Sequence, residues 1–122
     1  RVVMFQGMEG YDDIRPGYTK VGELTDGEFT DFEIETPEYG MDFEYDDLKI
    51  NPDDIAGVSA TLTEEIIDGT RTDHFADAVE VNAAFRIYAR GDADSVDTAL
   101  DMATASIDSG AASDVLHSLQ TF

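Results

Sequence analysis

The sequence predicts an α+β fold for this chain taken by itself, in which a strand and a β-hairpin are followed by three or four helices. Three extended runs lie within the first 35 residues, and an Asp-Gly pair separates the last two. Apolar residues recur at helical spacing through the second half. Because the strands come first and the helices second, we expect one α+β unit over residues 1–122.

The opening stretch, residues 1–24, predicts a strand, a loop and a second strand. Residues 2–5 form an apolar β-run that we expect to be buried. The following loop turns at Gly7 and Gly10 and carries the adjacent carboxylates Asp12 and Asp13. A strand that ends in such a loop places charged groups at the edge of a sheet, where binding sites are common.

The next stretch predicts a hairpin. Thr19–Leu24 and Glu28–Glu35 are extended, and Asp26-Gly27 between them is a strong turn signal. Residues 36–40 predict a turn, and residues 41–50 predict an irregular segment with a short strand at 48–50. The acids of the second hairpin strand are typical of an exposed strand that avoids edge-to-edge pairing.

Helix caps and periodicity predict the second half. The first helix begins at Asn51 or at Ser59 and ends near Gly69, the second runs from His74 to Arg90, and the third begins near Ser95 and ends at Gly110. A last short helix carries Val115, Leu116 and Leu119.

The second predicted helix is apolar on two sides. One stripe comprises Phe75, Val79, Ala83 and Ile87, and the other comprises Ala78, Val81, Phe85 and Tyr88. A helix of this kind is typically buried against other segments on both sides. We therefore expect a further segment or a homodimer partner against it.

The charge of the chain is strongly negative. There are 28 acids against 7 bases, a net charge of −21, and the acids are spread along the chain. Repulsion between so many like charges destabilises the folded chain in dilute salt and is screened in molar salt. The charge therefore predicts a cytoplasmic protein of an organism with high internal salt. The alternative interpretation is an acidic surface that is unrelated to salt in the cell. Nucleic acid binding by this chain is disfavoured because basic residues do not cluster, and no apolar run is long enough for a membrane span.

The acid pair Asp12-Asp13 is the candidate metal site. Two carboxylates on a loop offer the hard oxygen ligands that Mg²⁺ prefers, and Mg²⁺ keeps several waters for a phosphate substrate. A solvated turn is the competing interpretation, since the pairs Asp46-Asp47 and Asp53-Asp54 are similar.

Other candidates are weaker. Gly7 and Gly10 have G-x-x-G spacing, which indicates tight turning and falls short of a nucleotide-binding motif. His74 begins a predicted helix and His117 lies near the end of another, without a nucleophile motif beside either. The side chains Tyr11, Tyr18 and Arg15 surround the acid pair and are interpreted either as contacts for an aromatic or anionic ligand or as surface turn residues.

Four motifs in order resemble the anthranilate phosphoribosyltransferase family. The first motif is that family's V-V-H-G-x-D-G-x-D-E loop together with the Thr-Lys-Val strand that follows it, which residues 2–13 and 19–21 resemble. Residues 36–40, 81–84 and 105–112 resemble its T-P-E-x-x-G, L-N-A-A and A-x-x-x-I-D-S-G-x-A motifs. This chain departs from the pattern at Gln6, where His is usual, at Asp13, where Glu is usual, and at Arg15, where a small polar residue is usual.

The resemblance implies that the chain is the C-terminal part of a large α/β domain. A helical N-terminal domain and the first part of the α/β domain would then lie outside it, in keeping with a start at Arg1 just before a β-run. The complete protein would transfer phosphoribosyl from phosphoribosyl pyrophosphate to anthranilate in tryptophan biosynthesis. Asp12 and Asp13 would bind Mg²⁺, and the isolated segment would be inactive.

Two other functions stay open at this point. The departures from the motifs suit a non-catalytic paralogue that binds a ligand or nucleic acid. The two-sided apolar helix suits a structural or dimerisation segment.

Overall fold

Three strands form one antiparallel sheet in the first third of the chain. The structure, a computed structural model, describes residues 1–50 and 52–122. β1 is Val2–Gln6, β2 is Tyr18–Thr25 and β3 is Glu28–Glu35, in the order β1-β2-β3. The second predicted strand is one residue longer at each end than expected, and the third has the predicted bounds.

The predicted hairpin turn is confirmed. Asp26 and Gly27 have φ values of 51° and 84°, so both central residues adopt the left-handed conformation. A turn of this kind matches the right-handed twist of the two strands, and Asp-Gly accommodates it at low cost. The register that follows pairs Leu24 with Phe29 and Val21 with Phe32.

Four helices follow, which confirms the α+β prediction. α1 is Ile55–Ile67, α2 is His74–Arg90, α3 is Val96–Asp108 and α4 is Ala111–Gln120. The caps explain the bounds of α2 and α3. The side chains of Asp73 and Ser95 accept hydrogen bonds from the first-turn amides, and Gly91 ends α2 at a φ of 90°.

α1 begins at Ile55, before the predicted start at Ser59. The side chain of Asp54 caps the helix by accepting from the amide of Gly57 at 3.1 Å. Ser59 lies inside the helix, and Asn51 lies outside the described residues. Gly69 follows the last turn at a φ of 80°, as predicted.

The predicted strand at residues 48–50 is wrong. A 3-10 turn, Tyr45–Leu48, occupies its beginning, and Lys49 ends that turn. The Asp47 side chain accepts from the Glu44 amide at 3.0 Å, and the Glu44 side chain caps the turn in return. Local carboxylates therefore satisfy these backbone groups, and no neighbouring strand is needed.

The main core lies between the inner face of the sheet and α2. Phe85 is 1% exposed, and the rings of Phe5 and Tyr39 meet it nearly edge-on at centroid distances of 5.4 and 5.7 Å. The other buried members of this cluster are Ile14, Val21, Ile34, Met41 and Val81. α3 packs on α2 through a smaller cluster of alanines.

The expectation that β1 is buried is wrong for its outer face. Val2 is 54% and Met4 is 70% exposed, while Val3 and Phe5 turn inward. Alternation of this kind is ordinary for an antiparallel sheet that is packed on one face only. Among the described helices, none combines the length and apolarity that crossing a bilayer requires.

Candidate metal centre

The acid loop, defined here as residues 7–17, connects β1 to β2 and folds back on its own first residue. The amide of Gly7 donates to the carbonyl of Tyr11 at 2.8 Å, and the amide of Gly10 donates to the carbonyl of Gly7 at 3.1 Å. A 3-10 turn, Met8–Gly10, lies inside this bend. The G-x-x-G spacing therefore serves tight turning, as the sequence indicated.

The loop presents the two predicted site residues, Asp12 and Asp13, to solvent. A guanidinium nitrogen of Arg86 lies 3.8 Å from Oδ1 of Asp13, and both side chains are more than half exposed. An exposed ion pair of that length contributes little. None of the residues that the structure describes forms a hydrogen bond or an ion pair with the carboxylate of Asp12.

The other acid pairs already serve the local structure. Asp46 pairs with Lys49 at 2.8 Å, and Asp47 caps the 3-10 turn that contains both. Asp54 caps α1. The Asp12-Asp13 pair therefore differs from the other two pairs, because it lies on the loop after β1 and its carboxylates do not cap a turn or a helix in the part of the chain that the structure describes.

Two distant elements anchor the backbone of the acid loop. Asn82 on α2 pairs with Ile14, since its Oδ1 accepts from the Ile14 amide at 3.0 Å and its Nδ2 donates to the Ile14 carbonyl at 2.9 Å. Thr36, which is buried, anchors Gly17. Its Oγ1 accepts from the Gly17 amide at 2.9 Å, and its own amide donates to the Gly17 carbonyl at 2.9 Å.

The residues around the acid pair stack on one another. The Arg15 guanidinium carbon lies 3.6 Å from the centroid of the Tyr11 ring and 5.3 Å from that of Tyr45. A side-chain hydrogen bond with Tyr45 and electrostatic repulsion from Tyr45 raise the pKa of Tyr11. The positive charge of Arg15 partly offsets this increase. Arg15 Nε is buried and lacks a hydrogen-bond partner among the described residues. Tyr18 stands apart from this stack at the start of β2.

An open groove of about 450 Å³ runs beside the acid loop, between α1 and α2. Asp13, Ile14 and Arg15 form one wall. The rest of the lining comes from Leu48 and from side chains of the two helices, most of which are apolar. Val79 belongs to this groove and is 40% exposed, whereas Val81 on the other stripe of α2 is 1% exposed. The groove thus lies along the incompletely covered side of α2.

The two histidines lie in different surroundings. The ring of His74 lies against Phe75 and Phe43, with centroid distances of 4.6 and 5.5 Å. His117 is exposed in the last turn of α4.

The donor set suits a cation that keeps much of its hydration. Within the described residues, no cluster of three or more acidic, histidine or cysteine side chains forms a cage for a metal ion. Two adjacent exposed carboxylates are nevertheless the kind of ligand that Mg²⁺ uses when waters and substrate phosphates complete its octahedron. The residues present therefore fit Mg²⁺ with a phosphate ligand.

Comparison with known proteins identifies the family. The model of the glycosyl transferase family, a/b domain, matches residues 1–113. The chain belongs to this family. The resemblance drawn from its four motifs is thereby confirmed at the level of the family.

Two similar proteins carry the name anthranilate phosphoribosyltransferase. The anthranilate phosphoribosyltransferase of Shewanella putrefaciens is 34% identical over 104 residues, which cover 84% of this chain and 29% of that protein. The enzyme of the same name from Moorella thermoacetica is 32% identical over 124 residues, which cover 98% of this chain and 34% of that protein.

The fold matches in the same way. The crystal structure of anthranilate phosphoribosyltransferase from Thermus thermophilus superposes with a TM-score of 0.80 at 25% identity, covering 96% of this chain and 34% of that one. The chain therefore spans about a third of the length of the relatives it matches.

Three residues at the site were given no role by the sequence. Asn82 stands in the motif V-N-A-A, yet its contact with Ile14 spans 68 positions. Arg86 and Tyr45 reach the acid loop from α2 and from the 3-10 turn. A polar residue inside the apolar stretch of α2 was the available signal for Asn82.

Proposed function

We propose that this chain is the C-terminal portion of an enzyme that transfers a phosphoribosyl group from phosphoribosyl pyrophosphate to anthranilate. The relatives named anthranilate phosphoribosyltransferase support this reaction, and their greater length supports a site completed by segments outside the 122 residues. By itself the chain is expected to be inactive, because it supplies one side of the site.

The freedom of one acid pair carries the proposal. Asp46-Asp47 and Asp54 are engaged in caps and an ion pair, whereas Asp12 and Asp13 lie exposed on a loop whose backbone is anchored by Asn82 and Thr36. Charged side chains on a fixed backbone are preorganised for a ligand, since little ordering is left to do on binding.

Asp12 and Asp13 are the residues that would hold Mg²⁺. The chemistry that a bound Mg²⁺ supplies is neutralisation of negative charge on the departing pyrophosphate. In this chain Asp13 stands where the family motif has Glu, so its carboxylate has a shorter reach and the same charge. Arg86 is a weak competitor for Asp13 at 3.8 Å, which a divalent cation displaces readily.

The test uses the complete enzyme in molar KCl with Mg²⁺ and phosphoribosyl pyrophosphate. Loss of anthranilate fluorescence measures turnover. We expect consumption that requires Mg²⁺, and we expect Asp12→Asn with Asp13→Asn to lower turnover about 100-fold or more while the protein remains folded.

The matched control is Asp46→Asn with Asp47→Asn, which removes the same amount of negative charge from a different acid pair. Turnover of this control is expected to stay close to that of the unaltered enzyme. Equal turnover of the Asp12/Asp13 variant and the unaltered enzyme would remove the assigned role. A folded enzyme that consumes no anthranilate would remove the reaction and favour a binding function without catalysis.

A further inference from the structure

The side chain of Asn82 uses all of its hydrogen-bonding groups. One Nδ2 proton goes to the Ile14 carbonyl and the other to the Ala78 carbonyl, each at 2.9 Å, while Oδ1 accepts from the Ile14 amide at 3.0 Å. The bond to Ala78, one turn earlier in α2, fixes the amide plane. Asn82 thus pairs with the backbone of Ile14 as a neighbouring strand would.

This contact lies immediately beside the acid pair. Ile14 follows Asp13, so the peptide that joins them is held from α2. On the other side, the amide of Gly7 holds the carbonyl of Tyr11, the residue before Asp12. The backbone is therefore fixed on both sides of the pair, and the two carboxylates keep only their side-chain rotamers.

Attachment of the loop does not depend on Asn82 alone. The side chain of Ile14 is 2% exposed and belongs to the main core, and Thr36 holds the end of the loop at Gly17. Removal of the Asn82 amide therefore leaves the loop docked and frees the rotation of the peptide units around Ile14. The expected loss is one of orientation at Asp12 and Asp13.

We propose that Asn82 is a positioning residue for the metal-binding carboxylates. It acts through the Ile14 backbone and sets the directions in which Asp12 and Asp13 leave the chain. This inference rests on the proposed function, because it takes the acid pair to be the cation site. Residues that orient metal ligands typically affect metal affinity or activity by 10- to 100-fold.

The first test measures Mn²⁺ affinity residue by residue in the complete protein at molar KCl. Mn²⁺ stands in for Mg²⁺ because it prefers the same oxygen ligands and broadens nearby amide signals in NMR spectra. Asn82→Leu keeps the approximate volume and removes every hydrogen bond. We expect a loss of affinity of about 10-fold or more at the amides of Asp12 and Asp13.

The matched control is Tyr88→Phe. Tyr88 lies on the same helix and donates to the carboxylate of Glu23 at 2.9 Å, so its variant also loses one link between α2 and the sheet region. This control is expected to keep the affinity of the unaltered chain. Urea unfolding of both variants separates the effect on orientation from a loss of stability.

A second readout needs no substitution. If the Asn82 contact favours cation binding, cation binding must stabilise the Asn82 contact to the same extent. We therefore expect saturating Mg²⁺ to slow hydrogen exchange of the Ile14 amide in the unaltered chain. Exchange that is unchanged by Mg²⁺ would overturn the role of Asn82 even if the leucine variant does not fold.

The outcomes separate this inference from the function on which it rests. Binding to the unaltered chain that is equally tight in Asn82→Leu removes the role of Asn82 and leaves the acid-pair site intact. Failure of the unaltered chain to bind Mn²⁺ at Asp12 and Asp13 removes both.

Discussion

The close approach between Gly7 and Asp13 gives the sharpest prediction about the acid loop. Gly7 has ordinary extended dihedral angles, φ −71° and ψ 179°, so alanine meets no backbone strain there. A Cβ added at Gly7 would however lie closer to the Asp13 carbonyl oxygen than the 3.0 Å that real Cβ atoms keep. The obstacle is backbone, and the loop must move to relieve it.

The expected cost of Gly7→Ala is about 1–3 kcal/mol, the range for forcing an extra methyl group into a packed site. Gly22→Ala is the matched control. It also adds a methyl group in a β-region, but its neighbour is the ring of Phe29 at 3.3 Å, which is 66% exposed and free to turn away. We expect that control to be neutral or to stabilise by about 0.4–1 kcal/mol.

Urea unfolding in molar KCl measures both changes. In the same samples, Mn²⁺ broadening reports whether the displaced carbonyl of Asp13 weakens the cation site in Gly7→Ala. Equal stability of the two alanine variants, together with unchanged Mn²⁺ affinity in Gly7→Ala, would refute the close packing on which the prediction depends.

Three further predictions concern stability. The net charge of the chain is −21, so its acidic side chains repel one another. The thermal unfolding midpoint should rise as the KCl concentration goes from about 0.1 to 1 M, because the Debye length falls from about 10 to 3 Å and screens this repulsion. A midpoint that stays constant or falls would contradict the predicted adaptation to high salt. Phe85→Ala should cost about 3–5 kcal/mol in urea unfolding because Phe85 is 1% exposed between two rings, and a cost below about 1 kcal/mol would show that this core is loose. Asp73→Ala should cost about 1 kcal/mol near neutral pH, because the α2 cap and the Arg71 ion pair are lost. Burial opposes ionisation of Asp73, yet hydrogen bonds from Arg71 and the Phe75 amide prevail and lower its pKa. The contribution of Asp73 to the free energy of unfolding is therefore complete above its unfolded-state pKa near 4 and is lost as the pH falls through its folded-state pKa. The stabilities of the unaltered protein and of Asp73→Ala should converge in acid. A stability difference that stays constant with pH would contradict the role of the ionised Asp73 carboxylate.

Local signals were sufficient for much of the fold. The Asp-Gly turn specified the hairpin, and apolar periodicity predicted α2 from His74 to Arg90, the bounds that the structure has. Features of this kind depend on neighbouring residues only, so they can be read along the sequence. The acid loop was predicted in the same way, from an apolar strand followed by glycines and carboxylates.

The features that the sequence did not predict have both local and tertiary causes. The strand expected at residues 48–50 gave way to a 3-10 turn because Glu44 and Asp47 cap it reciprocally. The anchoring of the acid loop by Asn82 crosses 68 positions, and nothing in the local sequence specifies it. Burial of β1 was overestimated since an apolar run does not reveal whether one face or both are covered.

The distinction between the three acid pairs is the most direct test of the proposed cation site. One NMR titration of the unaltered complete protein with Mn²⁺ in molar KCl observes all three pairs in the same sample. We expect the amides of Asp12 and Asp13 to broaden at lower Mn²⁺ concentration than those of Asp46-Asp47 and Asp53-Asp54. Simultaneous broadening of the three pairs, or earlier broadening at either of the others, would contradict the assignment of the acid loop as the metal centre.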